Sequence, residues 1–194
     1  MKRTTFIIAL ALFSCISLVA QEKTFRFGPT LGVEFPFTVG SLDLGNGSEP
    51  TQLIRGQIGF AFNISFSDKI GLQPELLYQS RVIDGDLSGI ENSAYSNSYG
   101  YVLIPIMFDL KLVKGLSLQA GPRIGILVTT DEDDFYASNG PSAQSTEVAA
   151  MFGPQYVTPF GLFFNIRAEY TFTSVYSSGD LNGGGVGVSL GWLF

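Results

Sequence analysis

The ionisable residues inside the patterned stretches of this sequence are where it could do chemistry. Six are basic (Arg26, Arg55, Arg81, Lys111, Arg123, Arg167) and five are acidic (Glu34, Glu75, Asp109, Glu147, Glu169). They share their side of the local pattern with Gly, Gln, Asn, Ser and Thr, and in such numbers opposite charges can pair with one another. A second group is the run Asp131-Glu132-Asp133-Asp134, whose hard oxygens suit Ca²⁺. It lacks the spacing and the Gly of an EF-hand, so a solvated loop tip is the preferred reading. Gly183-Gly184-Gly185 is no phosphate-binding loop, because no helix follows to present its N-terminus; it eases entry into the last strand.

Other chemistries are missing from the composition. There is no His, which rules out Ser–His–Asp and Cys–His catalysis and His-ligated metals. The single Cys, Cys15, lies in the first twenty residues. Phe13 two places before it and the apolar run after it fit a lipidated cysteine poorly. The expectation is a protein that is not an enzyme, with no catalytic, cofactor-binding or metal residues and no cofactor. A carboxylate-only enzyme stays open without a motif to support it.

The elements that must position these charges read as strands. Apolar residues recur at every second place. In the last segment Val186, Val188, Leu190, Trp192 and Phe194 share one face and Gly185, Gly187, Ser189 and Gly191 the other, with Leu193 the exception. In the one before, Phe160, Leu162, Phe164, Ile166, Ala168, Tyr170 and Phe172 oppose Asn165, Arg167, Glu169, Thr171 and Thr173, with Gly161 and Phe163 at its start. Upstream the same alternation runs over 25–38, 54–66, 70–82, 101–112, 116–128 and, least clearly, 147–158. That makes eight strands, with no helical periodicity after residue 20. The connections alternate: short near 67–69, 113–115 and 157–160, long over 40–50, 84–98, 131–145 and 174–184. Outer-membrane barrels have short periplasmic turns and longer external loops, and an even strand number puts both termini on the short-turn side. Prolines 29, 36, 74, 105, 122 and 154 fall inside strands. Proline removes a ladder donor, so bulges or strand ends are predicted near some of them.

Three features decide which face is outside. The apolar rows carry no charge, the opposite rows carry both signs and the Gly that a narrow interior needs, and aromatics gather near strand ends (Phe37, Phe66, Tyr99, Tyr101, Phe160, Tyr170, Phe172, Trp192, Phe194) as an interfacial girdle should. The prediction is an all-β, eight-stranded antiparallel up-and-down transmembrane barrel, apolar side to lipid. A soluble periplasmic or secreted lipocalin-like barrel holding an apolar ligand is the alternative. A narrow channel is another. Charged residues at 14% are too few for an ordinary soluble domain.

Residues 1–20 read as a cleaved signal peptide: Lys2 and Arg3, an apolar core over 6–13, and Ala20 before Gln21. The barrel domain is then 21–194, without cysteine, and the net charge of −6 falls to −8 as Lys2 and Arg3 leave. An acidic chain with no basic run offers no footprint for nucleic acid. The four long loops hold Asp43, Glu49, Asp84, Asp86, Glu91, Asp131, Glu132, Asp133, Asp134 and Asp180 and no Lys or Arg. Solubility is the simplest reason, and divalent ions bridging them to anionic surface lipid is a second.

Several stretches resemble the PorT-type family of small outer-membrane β-barrels, of the OmpA/OmpX-like eight-stranded kind. They are Gly71-Leu72-Gln73-Pro74-Glu75-Leu76-Leu77-Tyr78, Tyr101-Val102-Leu103-Ile104-Pro105-Ile106-Met107-Phe108, Gly121-Pro122-Arg123-Ile124-Gly125, and the strands over 163–170 and 186–194. The chain departs from the family in having Asp109-Leu110-Lys111 where a Lys-Tyr pair is usual. Terminal Phe194 resembles the C-terminal aromatic signal of bacterial outer-membrane proteins. The resemblance implies an outer-membrane location with periplasmic termini, outer-membrane lipid and lipopolysaccharide as surroundings, and an envelope or secretion-system protein as partner. One named relative assists secretion and gliding, and fold alone does not fix function.

Overall fold

Strands that are apolar on one face and polar on the other can satisfy every backbone donor and acceptor in lipid only by closing into a barrel. The computed structural model describes residues 25–39, 51–52, 54–86, 94–131, 144–174 and 182–194, and among them every regular element is a strand. The strands are β1 Phe25–Val39, β2 Arg55–Ser65, β3 Ile70–Asp86, β4 Ala94–Val113, β5 Leu116–Asp131, β6 Thr146–Val157, β7 Leu162–Ser174 and β8 Asn182–Trp192. The short piece Thr51–Gln52 pairs with Asp84 and Ile83 of β3 and so continues β2 along the same neighbour. Each strand runs antiparallel to its neighbours in sequence, and β1 closes on β8 from Thr30↔Gly191 to Val39↔Asn182.

The closure has a definite stagger. From Phe35 the register steps through Val186, Ala168, Phe152, Ala120, Phe108, Leu72 and Ile64 and returns to β1 at Phe25, ten residues from its start. An even shift is required, because an odd one would turn the first strand inside out relative to the last. Such stagger goes with a strand tilt of about 40° and an interior just wide enough for side chains. Strands of 11 to 20 residues, tilted this way, cross a hydrocarbon layer.

The apolar rows face outward. Phe25, Phe27, Leu31, Phe35 and Phe37 of β1 are exposed while Thr30 and Glu34 are buried, and β7 repeats this with Phe164, Ile166, Tyr170 and Phe172 outside and Asn165, Arg167 and Glu169 inside. The lipocalin-like alternative required the opposite arrangement and is overturned. Trp192 packs at 5.5 Å from the Phe160 ring and 6.5 Å from that of Phe194 at the short-turn end, and Tyr170 lies 5.5 Å from Phe172 towards the other. Short turns follow β2, β4 and β6. Gly115 (φ 82°) and Gly161 (φ 98°) take left-handed conformations there that a side chain would strain.

Three expectations change. Tyr99 and Tyr101 do not belong to the girdle: both are 2% exposed and sit in the lumen, because they share parity with Leu103 and Asp109. The loop expected over 84–98 is shorter, since β3 continues to Asp86 and β4 begins at Ala94; strand likewise reaches Asp131, Ser174 and Asn182. Prolines produce no bulge. The register shifts fall at Gly100/Tyr101, Lys111/Val113 and Tyr170/Ser174, whereas Pro29, Pro36, Pro105, Pro122 and Pro154 pair in register. A missing N–H removes one rung, and proline's φ still fits an extended strand. Residues 1–20, read above as a signal peptide, and residues 132–134 of the acidic run lie outside the described residues.

Candidate functional site

Inward positions of eight tilted strands meet near a common axis, so the lumen is the place where sequence-distant charges converge. Its floor on the short-turn side is apolar: Ala61, Phe163 and Leu193 pack together with Val157 against them. Above it lies an amide and ion-pair layer. Arg167 (β7) makes a bidentate contact with Glu75 (β3), Nη1–Oε2 2.9 Å and Nη2–Oε1 2.7 Å. The same guanidinium donates from Nε and Nη2 to Gln119 Oε1 at 3.1 and 2.6 Å. Gln73 donates to Glu75 at 2.8 Å and exchanges bonds with Gln155 at 2.9 Å, and Asn63 donates to Gln73 at 3.1 Å.

A second ionic layer follows towards the loops. Arg81 (β3) grips Glu147 (β6) at 2.6 and 2.9 Å and donates from Nε to Gln79 at 2.6 Å. Arg123 (β5) reaches the same Glu147 at 3.3 Å and bonds Glu169 of β7 as well. Arg55 (β2) bonds Glu34 (β1) at 2.9 Å, whose other oxygen accepts from Gln79 at 3.0 Å. The Tyr101 ring lies 4.0 Å from the Arg81 guanidinium carbon and forms the roof with Leu77, Tyr99 and Leu103, its hydroxyl donating to the Gln144 carbonyl at 3.0 Å. Gly125 lets Arg123 and Glu147 meet: a Cβ there would stand 2.9 Å from Arg123 Nη1.

Across the two layers four guanidinium groups thus meet four carboxylates, with no net charge. All eight residues are buried. Bidentate Arg–carboxylate bonds are short, directional and hard to separate in a low-dielectric interior. The void beside Glu34, Asn165 and Glu169 is about 10 Å³, the size of a single water molecule. The arrangement is a plug, and what it does chemically is to tie β1, β2, β3, β5, β6 and β7 together in one register.

Of the eleven charges singled out in the sequence, eight form this network. Arg26, Lys111 and Asp109 do not join it. They lie at the short-turn mouth, where Arg26 donates to Asn63 at 3.3 Å and Lys111 to Ser65 at 2.7 Å. Sequence reasoning passed over the amides that knit the layers, Gln73, Gln79, Gln119 and Gln155, each at most 1% exposed; the signal was there in their even spacing with Glu75 and Arg81. Among the described residues no three His, Cys, Asp or Glu side chains gather as metal ligands.

A family model described as "Outer membrane protein beta-barrel domain" matches residues 19–191. The chain is similar in structure to Neisserial surface protein A (TM-score 0.55, 12% identity, covering 88% of this chain and 97% of that one). It is also similar to Ail, the attachment invasion locus protein of Yersinia pestis, solved in complex with the heparin analogue sucrose octasulfate (0.52, 13%, 90% and 100%). A third likeness is to the outer membrane protein AlkL in DMPC bilayers (0.51, 15%, 90% and 92%). At these identities the likeness is one of fold. A comparison with curated proteins returns no match.

Proposed function

The chain belongs to the outer membrane protein beta-barrel domain family and is an outer-membrane protein, and from that premise we propose that it works as a sealed structural or interaction barrel of the envelope. Its role on this reading is that of an accessory to protein secretion or envelope organisation, as the PorT-type resemblance implies, and not that of an enzyme. Its surroundings are outer-membrane lipid and lipopolysaccharide, and its partner is an envelope or secretion-system protein. The observation that carries this reading is the filled lumen. Among the described residues a charge-balanced plug with apolar layers on both sides fills the lumen, which favours a function at the two ends of the barrel over one through it.

The two ends are unlike. The ten acidic residues of the long-loop segments, with no Lys or Arg among them, suit neither a polysulfate nor a nucleic acid. The ligand named for Ail is therefore not carried over. Planar-bilayer recordings of the refolded barrel test the proposal: flat traces support it, and stepwise conductance would replace it with the narrow-channel reading. Crosslinked affinity capture from native outer membrane then identifies the partner, and a reproducible secretion-system component is the expected result.

A further inference from the structure

At the short-turn end the lumen widens into a cavity of about 780 Å³, within the usual size range of ligand sites. Its floor contains Asn63, Asp109 and Ser117, all buried and inward-facing. The lining also includes the outward-facing Leu112, Val113 and Tyr156, so the cavity lies at the rim of the short-turn mouth, between the lumen and the periplasmic edge of the membrane.

The charged wall is Arg26, Lys69, Lys111 and Lys114 against Asp68 and Asp109, an excess of two positive charges. These cations come from four places: the start of β1, the turn after β2, the end of β4 and the turn after β4. Arg26 and Lys111 are held by neutral partners, Asn63 Oδ1 at 3.3 Å, Ser65 Oγ at 2.7 Å and the Ser67 carbonyl at 3.3 Å. Among the described residues none of the four has a carboxylate at ion-pair distance, whereas each arginine of the plug does. The remaining wall, with Leu116, Val157 and Pro159 and the ring of Tyr156 at the lipid-facing rim, is apolar and aromatic. Basic groups on one side and an apolar wall on the other match a short peptide that carries carboxylates on an otherwise ordinary chain. A small inorganic anion would leave that wall unused.

We propose that this vestibule is a docking site for an acidic peptide segment of a periplasmic protein. The proposal rests on the reading that function lies at the ends of a sealed barrel, and it names the end and the chemistry of the partner.

The test uses the signal-free chain refolded in nanodiscs of zwitterionic lipid, which expose both mouths, with fluorescein-labelled hexaglutamate followed by anisotropy at low salt. Saturable binding is expected. It should weaken roughly 10-fold in the Lys69→Gln/Lys114→Gln variant and again in ~0.3 M NaCl, as few-charge recognition at a water-exposed site does. Both substitutions lie in solvent-exposed turns, and unchanged heat-modifiable migration confirms the fold. Arg26→Gln, deeper in the cavity, should weaken binding on its own. Absence of saturable binding, or equal binding by parent and variants, overturns the proposal. Tighter competition by tripolyphosphate or by anionic-lipid vesicles than by unlabelled hexaglutamate overturns the assignment to peptide. Conductance in the bilayer experiment would refute the sealed-barrel reading without altering this outcome, so the two can fail separately.

Discussion

Removal of one half of the Arg167–Glu75 pair should be among the most damaging single changes in the barrel. In Arg167→Met, Glu75 keeps one bond from Gln73 but loses two charged donors at 2.9 and 2.7 Å, and Gln119 Oε1 loses bonds of 3.1 and 2.6 Å. A carboxylate stranded in a dry interior costs about 3–5 kcal/mol. Glu75→Met strands the guanidinium instead and should cost a similar amount. The double variant Glu75→Met/Arg167→Met removes both charges and fills the space with apolar volume. It should lie within about 1 kcal/mol of the parent, because two apolar groups carry no desolvation penalty. The coupling between the two sites is then at least about 5 kcal/mol, at the upper end of what close charge pairs give. Reversible urea unfolding in detergent micelles or thin bilayers reads this directly. With a urea dependence of about 2 kcal/mol per molar, each single variant shifts the midpoint down by roughly 2 M and the double hardly moves it. If each single change costs under about 1 kcal/mol and the double is simply their sum, the lumen is hydrated and the plug described above is wrong.

Other predictions follow from the outer surface and the turns. Ile166→Arg, in the middle of β7 on the lipid face, should destabilise by roughly 2–4 kcal/mol, and Phe172→Arg near its end by about 0–1 kcal/mol, in the same unfolding assay; equal costs would contradict the membrane position. Trp192 is the single tryptophan and lies at the short-turn rim beside Phe160 and Phe194. Its emission should be quenched more by lipids brominated near the headgroup than at the chain end, and the reverse order would refute the girdle. Gly161→Ala places a Cβ about 2.3 Å from the Leu193 carbonyl oxygen at φ 98° and should cost at least about 1–2 kcal/mol, read as a lower urea midpoint in Trp192 fluorescence. Tyr101→Phe loses only the bond to Gln144 and should cost about 1 kcal/mol, while Tyr101→Ala also uncovers Arg81 and should cost distinctly more.

Much of this architecture can be read in the order of residues. Period-two rows such as Val186, Val188, Leu190 and Trp192 define both strand and face, because successive side chains of a strand point to opposite sides. A charge-free row beside one holding Arg and Glu defines which side meets lipid. Alternating loop lengths define the up-and-down order and the common side of the termini. Parity also carried information that residue type obscured: Tyr99, Tyr101, Phe163 and Leu193 look like lipid anchors by composition, yet their odd places in strands whose odd places are polar send them inside.

What remained for the tertiary structure was which charges meet. Arg81 and Glu147 lie 66 residues apart in sequence, and Arg167 and Glu75 lie 92 apart. Both pairs cross the lumen between strands that are not paired with each other in the sheet. Whether they are level depends on the ten-residue stagger accumulated around the whole ring, a property of closure that no single segment contains. The same holds for the vestibule, whose four cations come from β1, β4 and two separate turns and become one surface only when the last strand seals against the first.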